Sequence, residues 1–335
     1  MRIGMISLSS LPVRSGITTY FYENFEALYR LGADITPIML SGNGKISKAK
    51  TFPFHKEEDI YKRMLVLNWR KVDESIDKIN SFDCLFFISA GGDAEMKAKE
   101  SPKYFPIVKK VSVPFFVASH GLIDLKVYPF SKEWIGGQFF RGWISQKREL
   151  GSYLHLFPFF HIPIYLANWN PKAANRENKI IMNGRLISCK HHHVFLEKIK
   201  ASEKDWQIIV RGESFYQYDK ALLERYKNVI YKGEYSFSER EAIFENAKVA
   251  IDFSEYDLMG GYEYSALEAI QAGAIVGVSK KSGMFGIVIE TGRELDPFFD
   301  KDIANEHQKF VDYVNRNHHP DSAKKLYEIL KGHSS

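Results

Sequence analysis

Two carboxylates stand out in the stretch GGYEYSALEAIQAGAIVGVSK, residues 260–280. Glu263 and Glu268 head a short helix-like segment that runs straight into the apolar AIVGV. On a helix of 3.6 residues per turn, positions five apart lie about 140° apart, so the two acids do not share a face. Glu263 belongs at the helix entrance. Glu268 falls beside Tyr264, Ser265, Gln271 and Ala272, with Leu267 and Ile270 on the buried side. An acid among small groups can accept two hydrogen bonds from a vicinal diol, and an acid at the entrance can hold a single hydroxyl. Attraction to the helix dipole accounts for an acid in the first turn but fades by the position of Glu268.

Cations occur earlier, in NGRLISCK, where Gly184, Arg185 and Lys190 follow a predicted strand. Glycine lets a ligand approach the backbone, and Arg and Lys can neutralise a diphosphate; an ordinary surface turn has the same composition. SLPVRSGITTY lies between the first strand and the first helix, so Gly16 and the amides after it can face an anion. That loop has neither the dinucleotide fingerprint nor the Walker spacing, and SGNGK at 41–45 lacks the Ser/Thr a Walker loop requires. VASHGLIDLK places His120 and then Asp124 after another strand, where His120 can bind a hydroxyl or shuttle a proton. The run His191–His193 is not expected to bind metal, because consecutive side chains diverge on a helix and no Cys or carboxylate partner stands at ligand spacing. Neither a nucleophilic triad nor a pair of catalytic carboxylates is visible.

Charge is concentrated. Residues 97–148 hold ten Lys/Arg against three acids, a net +7 in a chain of net +5, together with ten aromatics. Such a segment, with Lys126, Lys132, Arg141, Trp143, Lys147 and Arg148, can track a phosphate backbone and stack on a displaced base. A solvated basic face over an aromatic core would read the same way.

The elements that must position these residues follow from apolar periodicity. MRIGMISL, DITPIML, DCLFFIS and VPFFVAS read as buried strands, with helices over GITTYFYENFEALYRLG and WRKVDESIDKIN between them. Residues 151–178, rich in Pro and aromatics, read as a passage between domains. Alternation then resumes through KIIMNG, a helix from about His193, WQIIVRG, a helix near Leu222, NVIYKG, SEREAIFENA, VAIDFS, the acid-led helix and AIVGVSK. The expectation is an α/β protein of two Rossmann-like domains facing across a cleft, 1–165 and 166–315, with a helix over 316–335 packing back on the first. The 335 residues contain two cysteines, no apolar run long enough to span a bilayer and no leader-like start, so a cytoplasmic setting is expected.

The residues GR, then Lys190, then an acid-led helix with LEAIQAG resemble the retaining nucleotide-sugar glycosyltransferases of the two-Rossmann (GT-B) type. That family carries two glutamates eight residues apart, whereas Gly260 stands eight before Glu268 here. The spelling EYSALEAIQAG, with SGITTY, SHGLID and GRLISCK in the same order, is similar to the DNA α-glucosyltransferases of T-even phages. The resemblance implies that Arg185 and Lys190 hold a donor diphosphate, Glu268 the ribose and Glu263 the sugar. Gly16 would line the donor, Arg211 and Gly212 the nucleotide base, and His120 and Asp124 the reacting sugar and acceptor. It implies a UDP-sugar donor with no further cofactor and no metal. The acceptor would be double-stranded DNA carrying 5-hydroxymethylcytosine, its base flipped out of the stack. An envelope or polysaccharide glycosyltransferase, a non-catalytic nucleotide-sugar or DNA-binding module, and a nucleotide-sugar hydrolase or epimerase are the competing expectations.

Overall fold

The computed structural model describes residues 1–7, 16–41, 63–68, 70–88, 109–120, 138–146, 148–152, 158–184, 186, 190–212, 223, 225, 226, 228–235, 239–253 and 263–332. The chain divides into two compact units, one of 1–168 with 320–335 and the other of 169–319.

The first unit is built on a parallel sheet of seven strands in the order β3-β2-β1-β4-β5-β6-β7. These are β1 Arg2–Ser7, β2 Asp34–Ser41, β3 Leu65–Asn68, β4 Cys84–Phe87, β5 Phe115–Ser119, β6 Phe140–Ser145 and β7 Phe159–His161. Central strands of such a sheet are covered on both faces, which is why β4 and β5 are apolar without alternation and buried throughout. Helices α1, Gly16–Arg30, and α2, Val72–Ile79, are the crossovers described on this sheet.

The second unit repeats the plan with six parallel strands in the order β10-β9-β8-β11-β12-β13. Its strands are β8 Lys179–Asn183, β9 Gln207–Arg211, β10 Val229–Tyr231, β11 Val249–Asp252, β12 Ile275–Val278 and β13 Ile287–Val288. Its helices are α3 His192–Ile199, α4 Arg240–Ile243, α5 Tyr264–Gln271, α6 Asp296–Phe299 and α7 Ala304–Asn317. A final helix, α8 Ser322–Gly332, belongs to the first unit, where it packs on α1 and β4.

Both sheets run outward from their first strand and then reverse, the doubly wound order. The reversal falls between β1 and β4 in one and between β8 and β11 in the other. Ligands of open α/β sheets lie at the carboxyl ends of the strands beside such a reversal.

Local chemistry explains the helix that feeds a strand. Ala269 and Ala272 of α5, with Ala274 after it, pack on Ile181, Ile209 and Ala250, and the short side chains let the helix sit close to the sheet. Gly273 ends the helix at φ +98°, and a Cβ there would lie 2.2 Å from the Ala173 carbonyl oxygen. Only glycine makes that turn without strain.

Two expectations are corrected. The passage read over 151–178 contains β7, whose Phe159–His161 pair with Trp143, Ile144 and Ser145 of β6. The basic, aromatic segment contains β6 itself. Opposite β5, Phe115 pairs with Phe140 and Phe116 with Gly142, so Arg141 is the extra residue of a β-bulge. The bulge carries Gly142 at φ +144° and turns Trp143 inward, where it is 1% exposed. Trp143 packs edge-to-face on Phe140, which is itself 8% exposed. Buried to this degree, Trp143 and Phe140 have no face to offer a nucleotide base; they belong to the core.

Candidate functional site

The carboxyl edge of the second sheet gathers the polar residues. β8 ends at Asn183, and Gly184 follows at φ +135°, its amide donating to the Arg211 carbonyl at 3.0 Å. A Cβ on Gly184 would meet Lys190 Cε at 3.7 Å, so the lysine stem runs over the glycine. Lys190 Nζ then donates to Glu263 Oε2 at 2.5 Å, in a pair whose side chains are 12% and 34% exposed.

Glu263 holds the N-cap position of α5 in an extended conformation, φ −85° and ψ 164°. Its carbonyl accepts from the amides of Ala266 and Leu267 at 3.1 and 3.3 Å, while its carboxylate makes no capping bond and reaches across to Lys190. The sequence thus separates two duties that an Asp or Ser cap would combine: backbone starts the helix, and the longer side chain is left to engage the cation. Glu268 lies five residues further on, 8% exposed and buried like Leu267 and Ala269 on either side. It is more deeply set than a surface helix acid, whose charge would be solvated.

Further buried polar groups surround this pair. Asn183 ends β8, Asp252 ends β11 and Ser279 follows β12, each less than a tenth exposed. Asn183 Oδ1, His192 Nδ1 and Ser279 Oγ lie buried with no hydrogen-bond partner among the described residues. Buried polar atoms are nearly always paired, so orphans gathered along one sheet edge point to a ligand or water that completes them. His192 opens α3, and its pKa falls to about 4, first because burial disfavours the imidazolium and then because the Lys190 charge opposes it; the carboxylate of Asp252 pulls the other way. His192 is therefore neutral near pH 7, and Lys190 is the cation at this corner. The three consecutive histidines have three settings: His191 in the left-handed region at φ 48°, His192 buried and His193 exposed.

Arg211 ends β9 and is held, its Nη1 donating to the Lys232 carbonyl at 3.1 Å and its guanidinium 3.7 Å from Glu239. Gly212, at φ +147°, gives its carbonyl to the Tyr231 hydroxyl at 2.9 Å.

In the first unit, His120 follows β5. Its Nε2 donates to the carbonyl of Ile88, which fixes the proton on that nitrogen because a carbonyl can only accept. Tyr20 of α1 packs edge-on to the imidazole with centroids 4.8 Å apart. The Tyr20 hydroxyl is buried with no hydrogen-bond partner among the described residues, and burial raises its pKa. Gly16 is the first residue of α1. Arg141 donates to the Gln138 carbonyl from its bulge, and Arg148 is exposed at the start of a 3-10 turn, Arg148–Ser152. Arg185, Asp124, Lys126, Lys132 and Lys147 lie outside the described residues.

The structure thus joins Lys190 to Glu263 directly, an ion pair that sequence spacing does not reveal across 73 residues. Asn183, His192, Asp252, Ser279 and Tyr20 were not singled out by sequence reasoning. Four of them were findable, since each stands at the end of a predicted strand or the start of the helix after it. Among the described residues no helix is long and apolar enough to cross a membrane.

No protein-family model matches the chain, and no curated protein sequence does. Solved structures do. An alpha-glucosyltransferase in complex with UDP and a 13-mer DNA containing a central A:G mismatch superposes with a TM-score of 0.72 at 13% identity, covering 99% of this chain and 100% of that one. Anabaena Alr3699/HepE, in complex with UDP and glucose, gives 0.68 at 12% identity over 99% and 100% of the two chains. AviGT4, a glycosyltransferase involved in avilamycin A biosynthesis, gives 0.58 at 13% identity over 99% and 97%. Two parallel α/β sheets of seven and six strands, matched over the whole chain to these three proteins, make this the GT-B fold seen in UDP-sugar glycosyltransferases.

Proposed function

We propose that the protein is a retaining glycosyltransferase that moves a sugar from a UDP-sugar to the hydroxyl of 5-hydroxymethylcytosine in double-stranded DNA. The observation that carries the reading is the meeting of Lys190 and Glu263 at the carboxyl edge of the second sheet, beside its reversal point. A cation and an acid at that edge suit a diphosphate and a sugar hydroxyl. In this reading the second unit takes the donor, with Lys190 and Arg185 on the diphosphate, Glu268 on the ribose, Glu263 on the sugar and Arg211 and Gly212 near the base. The first unit takes the acceptor, with His120, Asp124 and the amides after Gly16.

The bond from the anomeric carbon to the diphosphate breaks as the acceptor oxygen bonds to that carbon on the same face. The acceptor's proton passes to the departing phosphate oxygen, so no protein base is required. Lys190 stabilises the negative charge that grows on the leaving group; a preorganised donor of this kind contributes on the order of 3 kcal/mol. His120, its Nε2 proton committed to Ile88, would accept a hydrogen bond from a hydroxyl through Nδ1. DNA as acceptor is supported by the EYSALE spelling and by the DNA-bound neighbour; Lys126, Lys132, Arg141, Lys147 and Arg148 would meet its phosphates.

The test is mass spectrometry of nucleosides after hydroxymethylcytosine duplex is incubated with the protein and a panel of UDP-sugars. A hexose or pentose increment on the modified base is expected. UDP release with an oligosaccharide acceptor alone would favour a second reading, a polysaccharide glycosyltransferase of the same fold. UDP release with no acceptor would mark a hydrolase, and binding without release a non-catalytic module.

A further inference from the structure

We propose that Glu263 tells a loaded donor from a spent one: it pairs with Lys190 when no sugar is present and passes to a sugar hydroxyl when a nucleotide sugar's diphosphate takes the lysine. The inference rests on the donor site proposed above and adds to it a rule of selectivity. Its ground is the geometry of the pair, in which Glu263 Oε2 sits 2.5 Å from Lys190 Nζ. That is where a phosphate oxygen would sit on the same ammonium. A diphosphate and a carboxylate on one partly buried cation repel each other, so one displaces the other.

What the carboxylate does next depends on the ligand. A nucleotide sugar supplies hydroxyl donors to replace the lost lysine. A nucleoside diphosphate lacks the sugar's hydroxyls, and its ribose is held at Glu268, so Glu263 competes with it for Lys190. With His192 neutral next door, Lys190 is a cation both anions seek at this corner. Glu263 has the reach to alternate because it stands at the N-cap of α5, in extended backbone and without a capping bond from its side chain. The consequence is a site that sheds its diphosphate product once the sugar has gone.

The experiment is calorimetric titration of UDP and of UDP-glucose into the full chain and into Glu263→Gln, which keeps the shape and removes the charge. A partly exposed ion pair is worth up to about 1 kcal/mol, so UDP should bind about two- to fivefold more tightly to the variant. UDP-glucose should gain less, or lose affinity. In Lys190→Ala the effect of Glu263→Gln on UDP should vanish, since the two residues would act through one contact. UDP affinity unchanged or weakened by Glu263→Gln overturns the inference and leaves the donor site standing. Equal tightening of UDP and UDP-glucose also overturns it. Folded proteins that bind neither ligand in either form overturn the donor site as well.

Discussion

The two sheets share one strand order and differ at their carboxyl edges. In the first unit β1, β5 and β6 end on Ser7, Ser119 and Ser145, each no more than 1% exposed. The Ser145 hydroxyl donates to the Ser119 carbonyl at 2.8 Å, so these described strand ends carry neutral side chains, two of them joined along the edge. In the second unit β8, β9 and β11 end on Asn183, Arg211 and Asp252, with the Lys190–Glu263 pair beside them. Among the described strand ends, the first unit therefore carries neutral hydroxyls and the second charged groups. The frame is fixed by apolar strands, whereas the edge is set by one or two residues after each strand, which can vary without cost to the core.

The largest expected effect tests whether Trp143 belongs to the core. Trp143→Ala should destabilise the first unit by about 3–5 kcal/mol, read in urea unfolding, as removal of a fully buried aromatic does. A stable Trp143→Ala variant that loses DNA affinity would break the assignment. Next is the charged edge under acid. His192 has a folded pKa of about 4, below its usual value, so the unfolded chain gains a proton first. Its contribution is intact above about pH 6.5 and is lost as the pH falls toward 4, by about 3 kcal/mol at the full shift. His307, also lowered by burial, acts in the same direction. Melting across pH 4–7 should be flatter for His192→Asn than for the unaltered chain, and parallel curves would refute the buried neutral histidine.

Lys190→Ala sharpens the contrast between edges. It should weaken UDP binding about 100-fold, roughly 2.7 kcal/mol, the loss of a charge-assisted phosphate contact. Tyr20→Phe, in the first unit, should leave UDP binding unchanged and stability equal or higher, because it removes a buried hydroxyl with no hydrogen-bond partner among the described residues. A loss of UDP affinity in Tyr20→Phe would erase the difference between the two sides. The smallest effect is on the surface of the first unit. Arg148→Ala should change stability by less than about 0.5 kcal/mol while lowering the salt slope of DNA binding by about one.

Much of the frame was legible from residues alone. The apolar runs CLFF and FFVAS, too short for helices and flanked by turn residues, read as buried strands and are buried strands. The acid-led helix was legible from its small residues and Gly273, because a helix pressed on a sheet needs short side chains and a sharp exit. β6 was not legible. A bulge at Arg141 and a glycine at 142 break its alternation, so an aromatic run that is core resembled a binding surface. β7, three residues long in a Pro-rich stretch, gave no periodic signal at all.

Sequence by itself determined most of the strands and helices, where the cations and acids fall along the chain, and hence the α/β class, because these follow from local pattern and steric preference. Only the tertiary structure decided that Lys190 meets Glu263 and that Trp143 turns inward. Both depend on register and packing between distant segments, which no local pattern encodes.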